Sequence, residues 1–430
     1  MAPSPALAAD YVPGEVVVGY APSARSASVT SDLRTSMGIR TLGAAPGPST
    51  HVLRLPRGVS VPRAVARLRG HRGIAYAVPN FIAHAAGSFV PNDPGRAHRR
   101  AGWEALQWNF LPGTGVNAPQ AWANLIADGR PGARGVVVAV LDTGVAYRDW
   151  HQFTASPDFK GTKFVAPHDF VANNRYPLDR EGHGTFVTGT VAEATNNGVA
   201  LTGLAYGATI MPVRILDSSG NGDAVTISRG IRYAVTHGAQ VINLSLEFSL
   251  SITAGQIPDI LGALQFAHRH GVVVVAAAGN ESAARLAYPA QAPAVISVGA
   301  STRDRCLADY SNTGPRLDLV APGGGEDSSV VADRNCHPAR DLPSIYQETI
   351  LNSAHPGRFG LPGGIFGTSM ATPHVAAAAA LVIASGVLGR RPSPDQILAR
   401  LEATAQPLGA SKPNRSYGYG LLDAGAATAR

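Results

Sequence analysis

The chain has 430 residues, of which 45% are apolar, and a formal net charge of +7. This composition excludes a disordered or fibrous chain and is enough for one large globular domain and a smaller one. Residues 1–100 hold 12 of the 36 basic and 4 of the 29 acidic residues, which leaves 24 against 25, so the positive excess belongs to the N-terminal part. Its arginines are scattered, apart from "RAHRR" at 96–100, with few aromatic neighbours, which argues against nucleic-acid binding.

The first elements in chain order form a small α+β unit between residues 14 and 80. "GEVVVGY", "STHVLRLP" and "GIAYAVPN" are typical of strands. "SVPRAVARLRG" predicts a helix with Ser60 as N-cap, Pro62 in its first turn, and Val61, Val65 and Leu68 on one buried face. The stretch that follows, rich in proline and glycine, predicts a linker.

From about Gln107 the pattern changes to long apolar runs that alternate with amphipathic segments. "GVVVAVLD", "ATIMPVRIL", "QVINLSL", "GVVVVAAAGN", "AVISVGA" and "RLDLVAPG" are typical of parallel strands covered on both faces. "DAVTISRGIRYAVTHG" predicts a helix with Val225, Ile231 and Val235 on its buried stripe. We therefore expect an α/β three-layer sandwich with a mostly parallel central sheet, and chemistry at the carboxyl ends of its strands.

The longest apolar stretch, "VAAAAALVIASGVLG" from Val375, is too short and too rich in alanine and glycine for a membrane span, so it predicts a buried helix.

The two cysteines, Cys306 and Cys336, are too few for a zinc knuckle, and their even number fits one disulfide in an exported protein. "MAPSPALAAD" contains the "ALA" typical of a signal-peptidase site but no charged or apolar leader region, so a signal has been removed or there was none.

Four polar residues stand where apolar runs end or helical runs begin. Asp142 closes "VLD", His183 lies between the glycines of "EGHGTFVTGT", Asn280 ends "AAAGN", and Ser369 begins the helix of "GTSMATPHV". Each alone has a purely structural explanation, as a turn cap, a core histidine, a turn asparagine or an N-cap. Together they are the inventory of nucleophilic acyl transfer, which needs a serine, a base, a carboxylate that orients the base, and an oxyanion donor.

These stretches, in the order Asp, His, Ser, resemble the subtilisin-like serine proteases (subtilases, peptidase S8) over roughly 107–422, with a similarity to thermitase-like members in "PNDP", "APQAW" and "VTGTVAEATNNG". The resemblance implies a serine endopeptidase that needs no catalytic cofactor. In it, Asp142 orients His183, which acts as general base and then general acid. Ser369 attacks the scissile carbonyl, and Asn280 donates to the oxyanion.

The N-terminal unit resembles the inhibitor-type propeptides of these enzymes in "EVVVGY", "VLRLPRGVSVPRAVARLR" and "YAVPNF". The chain is then a zymogen with a ferredoxin-like propeptide at 1–85, a linker at 86–106 and a catalytic domain at 107–430. The basic cluster at 96–100 is either the site of cutting or a solvated cluster without function.

The resemblance also implies substrate contacts from Ser245, Leu246, Glu247 and Gly279. Three departures from the family pattern stand out: Phe186 replaces a common second histidine, the segment 325–365 that contains Cys336 is long, and Glu247 stands at a position that is usually glycine. Glu247 either attracts a basic substrate side chain at the pocket rim or turns outward to water. We expect Cys306 and Cys336 to form a disulfide that pins the long segment.

A structural calcium site is a further implication of the resemblance. Its ligands would be the Asp158 and Asn197 side chains and the carbonyls of Thr195, Val199 and Leu201. The other interpretation of "ATNNGVALTG" is an asparagine-rich surface turn.

We expect a secreted monomer that acts on protein or peptide substrates, with its own propeptide as partner and neither nucleic acid nor membrane. Two other interpretations remain. One is a catalytically silent family member that binds peptides; the other is an ester hydrolase of a different α/β fold, which the order of the catalytic residues disfavours.

Overall fold

The computed structural model describes residues 11–21, 24, 26–44, 50–56, 59–81, 89–97, 101–329, 336 and 343–430. Contacts between Cα atoms divide the chain into two units, Met1–Ala86 and Gly87–Arg430.

The smaller unit has one four-stranded antiparallel sheet with two helices. Its elements are β1 (Tyr11–Tyr20), α1 (Ser26–Met37), β2 (Arg40–Ala44), β3 (Thr50–Arg54), α2 (Val61–Arg69) and β4 (Ile74–Phe81). The strand order β2-β3-β1-β4, with the chain order βαββαβ, is the ferredoxin-like arrangement expected from the sequence.

Helix α2 forms where the apolar spacing predicted it. Val61, Val65 and Leu68 are buried in the small core, as expected. Ser60 occupies the N-cap position, but its hydroxyl makes no capping hydrogen bond. Helix α1 was not predicted, because it is mostly polar and, among its side chains with described burial, only Val29 and Leu33 are buried.

The larger unit is built on an eight-stranded parallel sheet. Its strands are β5 (Val137–Asp142), β6 (Lys163–Phe164), β7 (His168–Asp169), β8 (Thr209–Arg214), β9 (Val241–Leu244), β10 (Val273–Ala277), β11 (Ile296–Ser301) and β12 (Leu319–Pro322). The order is β12-β11-β10-β9-β5-β8-β6, and β7 pairs with β8. A short antiparallel pair, β13 (Thr349–Ile350) and β14 (Phe359–Gly360), lies outside this sheet.

Helices cover both faces of this sheet. They are α3 (Ala118–Ala127), α4 (His183–Ala192), α5 (Ala224–Thr236), α6 (Pro258–Arg269), α7 (Thr368–Ser385), α8 (Pro394–Thr404) and α9 (Ala424–Thr428). Along β5, Val138 and Val140 pack into the core that contains α7, whereas Ala139 and Leu141 pack into the core of α5 and α6. Because successive strand residues face opposite cores, the runs are continuously apolar, and the predicted three-layer α/β sandwich is confirmed.

The buried stripe of α5 differs from the predicted one. Val225 is 58% exposed, whereas Ile227, Ile231 and Ala234 are buried. The correction is a change of register: the buried residues follow an i, i+4, i+7 spacing from Ile227, and Val225 lies on the solvent side of the first turn.

Helix α7 is the core of the larger unit. Among the described residues, it is the one helix long and apolar enough to cross a membrane, but 89% of that stretch is buried inside the protein. The stretch from Val375 therefore forms the buried helix that was predicted.

The part of the predicted linker that the structure describes lies within the larger unit. Phe89 contacts Trp122 edge to face, with ring centroids 6.0 Å apart, and Trp103 is fully buried and donates from Nε1 to the Pro91 carbonyl at 3.1 Å. Arg96 lies over the Tyr346 ring at 4.9 Å and donates to the Leu361 carbonyl. The prolines and glycines of this stretch lie in turns that pack within the larger unit. A proline- and glycine-rich sequence is typical both of such turns and of a linker, so the sequence alone does not distinguish them.

Leu264→Ala in α6 should lower the free energy of unfolding by about 2–5 kcal/mol, because it opens a cavity at a fully buried position. Leu261→Ala is the matched control, since Leu261 lies on the same helix and is only partly buried. Denaturant unfolding of both variants measures the difference, and equal losses would contradict the packing of α6 described above.

Candidate active site

The four candidate catalytic residues lie at one edge of the large sheet. Asp142 is the last residue of β5, and Asn280 follows β10 by three residues. His183 is the first residue of α4, and Ser369 is the second residue of α7. In the sheet, β5 lies between β8 and β9, and the chain crosses from one neighbour of β5 to the other. The strand order therefore reverses at β5, and the candidate residues lie at this point.

The His183 imidazole is bonded to a buried carboxylate. Its Nδ1 lies 2.7 Å from Oδ1 of Asp142, whose side chain is 1% exposed, against 25% for His183. The same oxygen accepts the Thr143 N–H at 2.7 Å, while Oδ2 has no hydrogen-bond partner within the described residues. With Nδ1–H directed at Asp142, Nε2 is left to accept a proton.

The charges around His183 make its ring a stronger base than an ordinary histidine. Burial lowers the pKa of His183, but the charge and hydrogen bond of Asp142, with smaller contributions from Glu181 and Asp179, outweigh burial and raise the pKa to about 9. The neutral ring, which can act as a base, is therefore the main form only at alkaline pH.

Asp179, which the sequence analysis did not single out, organises the start of α4. Its Oδ1 accepts the N–H groups of Glu181 and Gly182 at 3.0 and 2.9 Å. Its Oδ2 accepts the N–H and hydroxyl of Thr185 at 2.9 and 2.6 Å. The available signal was a carboxylate four residues before a helix start, where free N–H groups favour an acceptor.

The Ser369 hydroxyl contacts the chain just after β9. Its Oγ donates to the Ser245 carbonyl oxygen at 3.2 Å, and the Ser245 hydroxyl donates in return to the Ser369 carbonyl oxygen at 2.8 Å. Asn243 Nδ2 donates to the Ser245 hydroxyl at 3.0 Å. Among the described contacts, Ser369 thus makes this bond rather than one to His183, and both side chains line the same cleft.

The Asn280 amide is fixed at both ends. Its Oδ1 accepts the Thr368 N–H at 2.8 Å and the Thr368 hydroxyl at 3.0 Å. Its Nδ2 donates to Glu247 Oε1 at 3.2 Å, and its backbone N–H donates to Glu247 Oε2 at 3.1 Å. The oxygen of the amide therefore faces the start of α7, and its nitrogen faces Glu247.

Ser245, Leu246 and Glu247 line a cleft of about 310 Å³ together with His183 and Ser369. On the other side of His183, a recess of about 450 Å³ is lined by Gly182, Phe186, Ile350, Phe366 and Met370, among others. Phe186 is buried against Trp108, Ile345 and Met370, so the departure at this position is one of packing. A chain lying across His183 and Ser369 would have a recess on each side.

Gly279, also predicted to contact substrate, lies beside two carboxylates. A β-carbon at this residue would lie 2.5 Å from Glu247 Oε2 and 2.9 Å from Glu281 Oε2, and the φ of Gly279 is +109°. Asn312 Nδ2 holds Glu281 Oε2 at 2.6 Å. Only glycine fits here, both for space and for backbone conformation.

Four of the five residues named as candidate calcium ligands, Asp158, Asn197, Val199 and Leu201, are joined by hydrogen bonds. Asp158 is fully buried; its Oδ1 accepts from Asn197 Nδ2 at 2.8 Å, and its Oδ2 accepts the Leu201 N–H at 2.9 Å. Asn197 Oδ1 accepts the Val199 N–H at 2.8 Å, and the Thr195 hydroxyl lies 2.5 Å from that of Thr202. Among the described hydrogen bonds, this loop thus turns amide N–H groups toward Asp158.

Asp93, in the "PNDP" stretch, is a carboxylate beside this loop that the predicted calcium-ligand set did not include. It is fully buried and accepts the N–H groups of Asn196 and Asn197 at 2.9 and 3.0 Å. Two further acids lie near: Glu193 Oε1 accepts the Glu348 N–H at 2.9 Å, and Glu348 Oε2 accepts the Asp158 N–H at 3.3 Å. No signal in the sequence places these four acids together.

This acidic cluster, Asp93, Asp158, Glu193 and Glu348, has no basic partner in an ion pair within the described residues. Burial raises the pKa of Asp93 to about 6 and, with the charges of Glu348 and Asp93, that of Asp158 to about 8. Burial also raises the pKa of Glu193 and of Glu348. Buried oxygen donors with uncompensated negative charge suit a hard divalent cation.

Cys306 and Cys336 are joined as a disulfide, with their Cα atoms 5.6 Å apart. Cys306 is buried just after β11. The bond was expected to pin the long segment 325–365, of which residues 330–335 and 337–342 lie outside the described residues.

Comparison with protein families gives two matches in this chain. The model of the subtilase family matches residues 133–420, and that of the fervidolysin N-terminal prodomain matches residues 2–80.

Individual proteins agree with the family matches. The thermophilic serine proteinase of Bacillus sp. (strain AK1) is 31% identical over 380 residues, which are 87% of this chain and 79% of that protein. Thermitase of Thermoactinomyces vulgaris is 33% identical over 320 residues, 74% of this chain and 93% of its own. A solved protease structure from Pseudoalteromonas arctica covers 79% of this chain and 99% of its own, with a TM-score of 0.64 and 30% identity.

The unusual basicity of His183 can be tested without reference to activity. We expect its imidazole to titrate near pH 9 in an NMR experiment, and Asp142→Asn to lower that midpoint by more than one unit, because burial then acts without the opposing charge. Asp395→Asn, which removes a surface carboxylate bonded to His268, is the control and should leave the His183 midpoint unchanged. A midpoint near 6.5 in both the native protein and the Asp142 variant would contradict the coupling.

Proposed function

Because the chain belongs to the subtilase family of serine proteases, we propose that it hydrolyses peptide bonds in proteins by Asp-His-Ser catalysis through an acyl-enzyme. One observation carries this proposal: the 2.7 Å contact between His183 Nδ1 and the buried Asp142, at the cleft that also contains Ser369. That contact fixes the tautomer that leaves Nε2 free to act as a base.

The first half of the reaction forms the acyl-enzyme. His183 Nε2 takes the proton of Ser369 as Oγ attacks the scissile carbonyl, and the resulting imidazolium is stabilised by Asp142. The oxyanion is held by Asn280 Nδ2 and by the N–H of Ser369, which lies in the first turn of α7. His183 then gives the proton to the leaving amine, and water repeats the sequence to release the acid product.

The resting contacts of Ser369 have a consequence for this step. Its hydroxyl must exchange the 3.2 Å bond to the Ser245 carbonyl for one to His183 before attack. Since catalytic hydrogen bonds often tighten only when substrate is bound, the resting contact is compatible with the proposed role.

Substrate would lie across the cleft, with Ser245, Leu246, Glu247 and Gly279 on one side of the scissile bond. The second candidate, a catalytically silent peptide-binding protein, would need the same cleft but not a base of raised pKa beside a buried carboxylate. The combination of Asp142, His183, Asn280 and Ser369 at one sheet edge favours the enzyme.

The N-terminal unit supports synthesis as a zymogen. Its sequence matches a protease prodomain over residues 2–80, and the catalytic unit is a parallel sheet rich in non-local contacts, the kind of fold that forms slowly without help. We place the processing cut on the N-terminal side of Phe89, because Phe89, Asp93 and Arg96 all make contacts within the larger unit. The cluster at 96–100 is then not the cut site.

Export of the protein and a structural calcium ion complete the proposal. A disulfide between Cys306 and Cys336 persists in an oxidising compartment, which favours secretion. For the ion, Asp93 and Asp158 would supply carboxylate oxygens, with Asn197 and the carbonyls of Thr195, Val199 and Leu201 available in the adjoining loop. The ion would stabilise the fold by compensating buried charge and would take no part in bond cleavage.

Ser369→Ala should lower kcat by about six orders of magnitude, the loss found when a subtilase nucleophile is removed. A fluorophosphonate probe should label the native enzyme at Ser369 and leave the variant unlabelled, whereas a silent family member would remain unlabelled in both forms. If maturation is autocatalytic, the variant should also keep the prodomain attached on an SDS gel. Activity within tenfold of the native enzyme would contradict the assignment.

Asn280→Ala should lower kcat by about 10² to 10³ with little change in KM, because the amide donates mainly to charge that develops in the transition state. Steady-state kinetics on a peptide anilide measures both constants. An effect confined to KM would instead assign Asn280 to ground-state binding.

Calcium should stabilise the protein, and increasingly so as the pH rises. The folded pKa values of Asp93 and Asp158 are raised from 3.8, so without a cation the fold loses stability as the pH rises from 3.8 to about 6 for Asp93 and to about 8 for Asp158. Calcium at 100 times its Kd adds about 2.7 kcal/mol, visible as an increase in Tm over EDTA-treated protein.

Asp158→Asn should remove this calcium-dependent increase in Tm. Asp217→Asn is the control, because Asp217 also accepts loop N–H groups, at 2.8 and 3.0 Å, but is partly exposed and is not a member of the acidic cluster. Equal calcium shifts in the native protein and in Asp158→Asn would exclude this site.

A further inference from the structure

Glu247 is bonded to the very group that is proposed to hold the oxyanion. Its two carboxylate oxygens accept from the backbone N–H and the side-chain Nδ2 of Asn280, at 3.1 and 3.2 Å. One hydrogen of Nδ2 is thereby used, and the other remains for the substrate. A carboxylate in contact with an oxyanion donor either orients that donor or opposes the charge it must stabilise.

The orienting role is already filled by another residue. Thr368 donates to Asn280 Oδ1 from both its N–H and its hydroxyl, at 2.8 and 3.0 Å. These two bonds define which end of the amide is oxygen and which is nitrogen, so a further bond to Nδ2 adds little to its orientation.

Within the described residues, the negative charge of Glu247 has no basic partner. No described lysine, arginine or histidine forms an ion pair with it or with Glu281. Burial and the charge of Glu281 both raise the pKa of Glu247, while the bonds from Asn280 lower it. Of the other titratable groups in the cleft, Glu181 adds negative charge and His183 becomes positive only when protonated.

The expected effect of this charge on the reaction is large. Acceptors on the two hydrogens of one amide nitrogen lie about 5 Å apart at ordinary hydrogen-bond lengths. Two negative charges at that separation repel enough to slow a reaction by roughly ten- to a few hundredfold, the upper figure applying to an effective dielectric constant of about 20. The opposing role therefore outweighs the orienting one.

We propose that the negative charge of Glu247 weakens the stabilisation of the oxyanion by Asn280. A positively charged side chain on the residue before the scissile bond removes this effect by pairing with Glu247 and its neighbour Glu281. This proposal rests on the catalytic function given above. The carbonyl held by Asn280 belongs to that same substrate residue. The side chain of this residue branches from the Cα that is bonded to the carbonyl carbon. An arginine or lysine side chain can extend from there to Glu247 and Glu281.

The consequence is a selectivity expressed in the chemical step. A basic residue before the cut should raise kcat, and not merely lower KM, because the interaction removes a penalty that exists only when negative charge develops on the oxyanion. An acidic pair that merely bound the basic side chain would act mainly on KM.

The test compares two peptide anilides that differ only in arginine or citrulline before the scissile bond, since citrulline has almost the same shape without the charge. For the native enzyme, kcat should be at least tenfold higher with arginine. In Glu247→Gln, kcat for the citrulline peptide should rise about tenfold, while kcat for the arginine peptide changes less than threefold. Titration of active sites with a fluorophosphonate normalises each rate to folded enzyme.

Glu281→Gln is the matched variant, because it removes a carboxylate at the same glycine without a bond to Asn280. Its kcat for the citrulline peptide should rise less than that of Glu247→Gln. A native arginine-to-citrulline ratio near one in kcat, or an equal fall in kcat for both peptides in Glu247→Gln, would overturn the proposal. If Glu247→Gln does not fold, the native ratio alone decides. Absence of native turnover and of probe labelling would instead refute the catalytic function itself.

Discussion

The burial of α7 is the constraint on which the candidate site depends. The helix is rich in alanine, so it lies close against the parallel sheet, and its first turn is thereby placed at the carboxyl ends of the strands. Thr368 then bonds Asn280 after β10, and Ser369 exchanges hydrogen bonds with Ser245 after β9. One turn further on, His374 Nε2 lies 2.8 Å from Asn109 Nδ2. Burial lowers the pKa of His374 to about 4, so this buried ring is neutral and adds no charge near Ser369.

In the proposed reaction, two carboxylates of the site have opposite electrostatic consequences although both accept N–H groups. Asp142 contacts the imidazole that would become positive, so its charge would favour the transition state. Glu247 contacts the amide that would donate to the oxyanion, so its charge would disfavour the same transition state until a cation pairs with it. The difference lies in the charge that develops on the partner and not in the geometry of the hydrogen bonds.

The sequence was informative wherever a pattern is local. Apolar runs located β5 and the other long strands, and four short motifs located the candidate catalytic residues, because strand ends and helix starts have local signals. Glu247 stood out as unusual, but its contact with Asn280 joins residues 33 apart and depends on where β9 and β10 end. Asp93 was likewise invisible as a cluster member, since its bonds reach 103 to 105 residues along the chain. The exposure of Val225 followed from helix register, which apolar spacing alone does not settle.

The segment just after the N-terminal unit limits how activation can work. Asp93 accepts the N–H groups of the loop at 196–198, and Gly95 donates to the Ala200 carbonyl at 2.8 Å, so a cut beyond this segment would leave buried polar groups without partners. The described contacts that position Asp142, His183, Asn280 and Ser369 come from residues of the larger unit beyond Gln107. In the proposed maturation, a cut before Phe89 therefore leaves each of these contacts in place and does not have to build any of them.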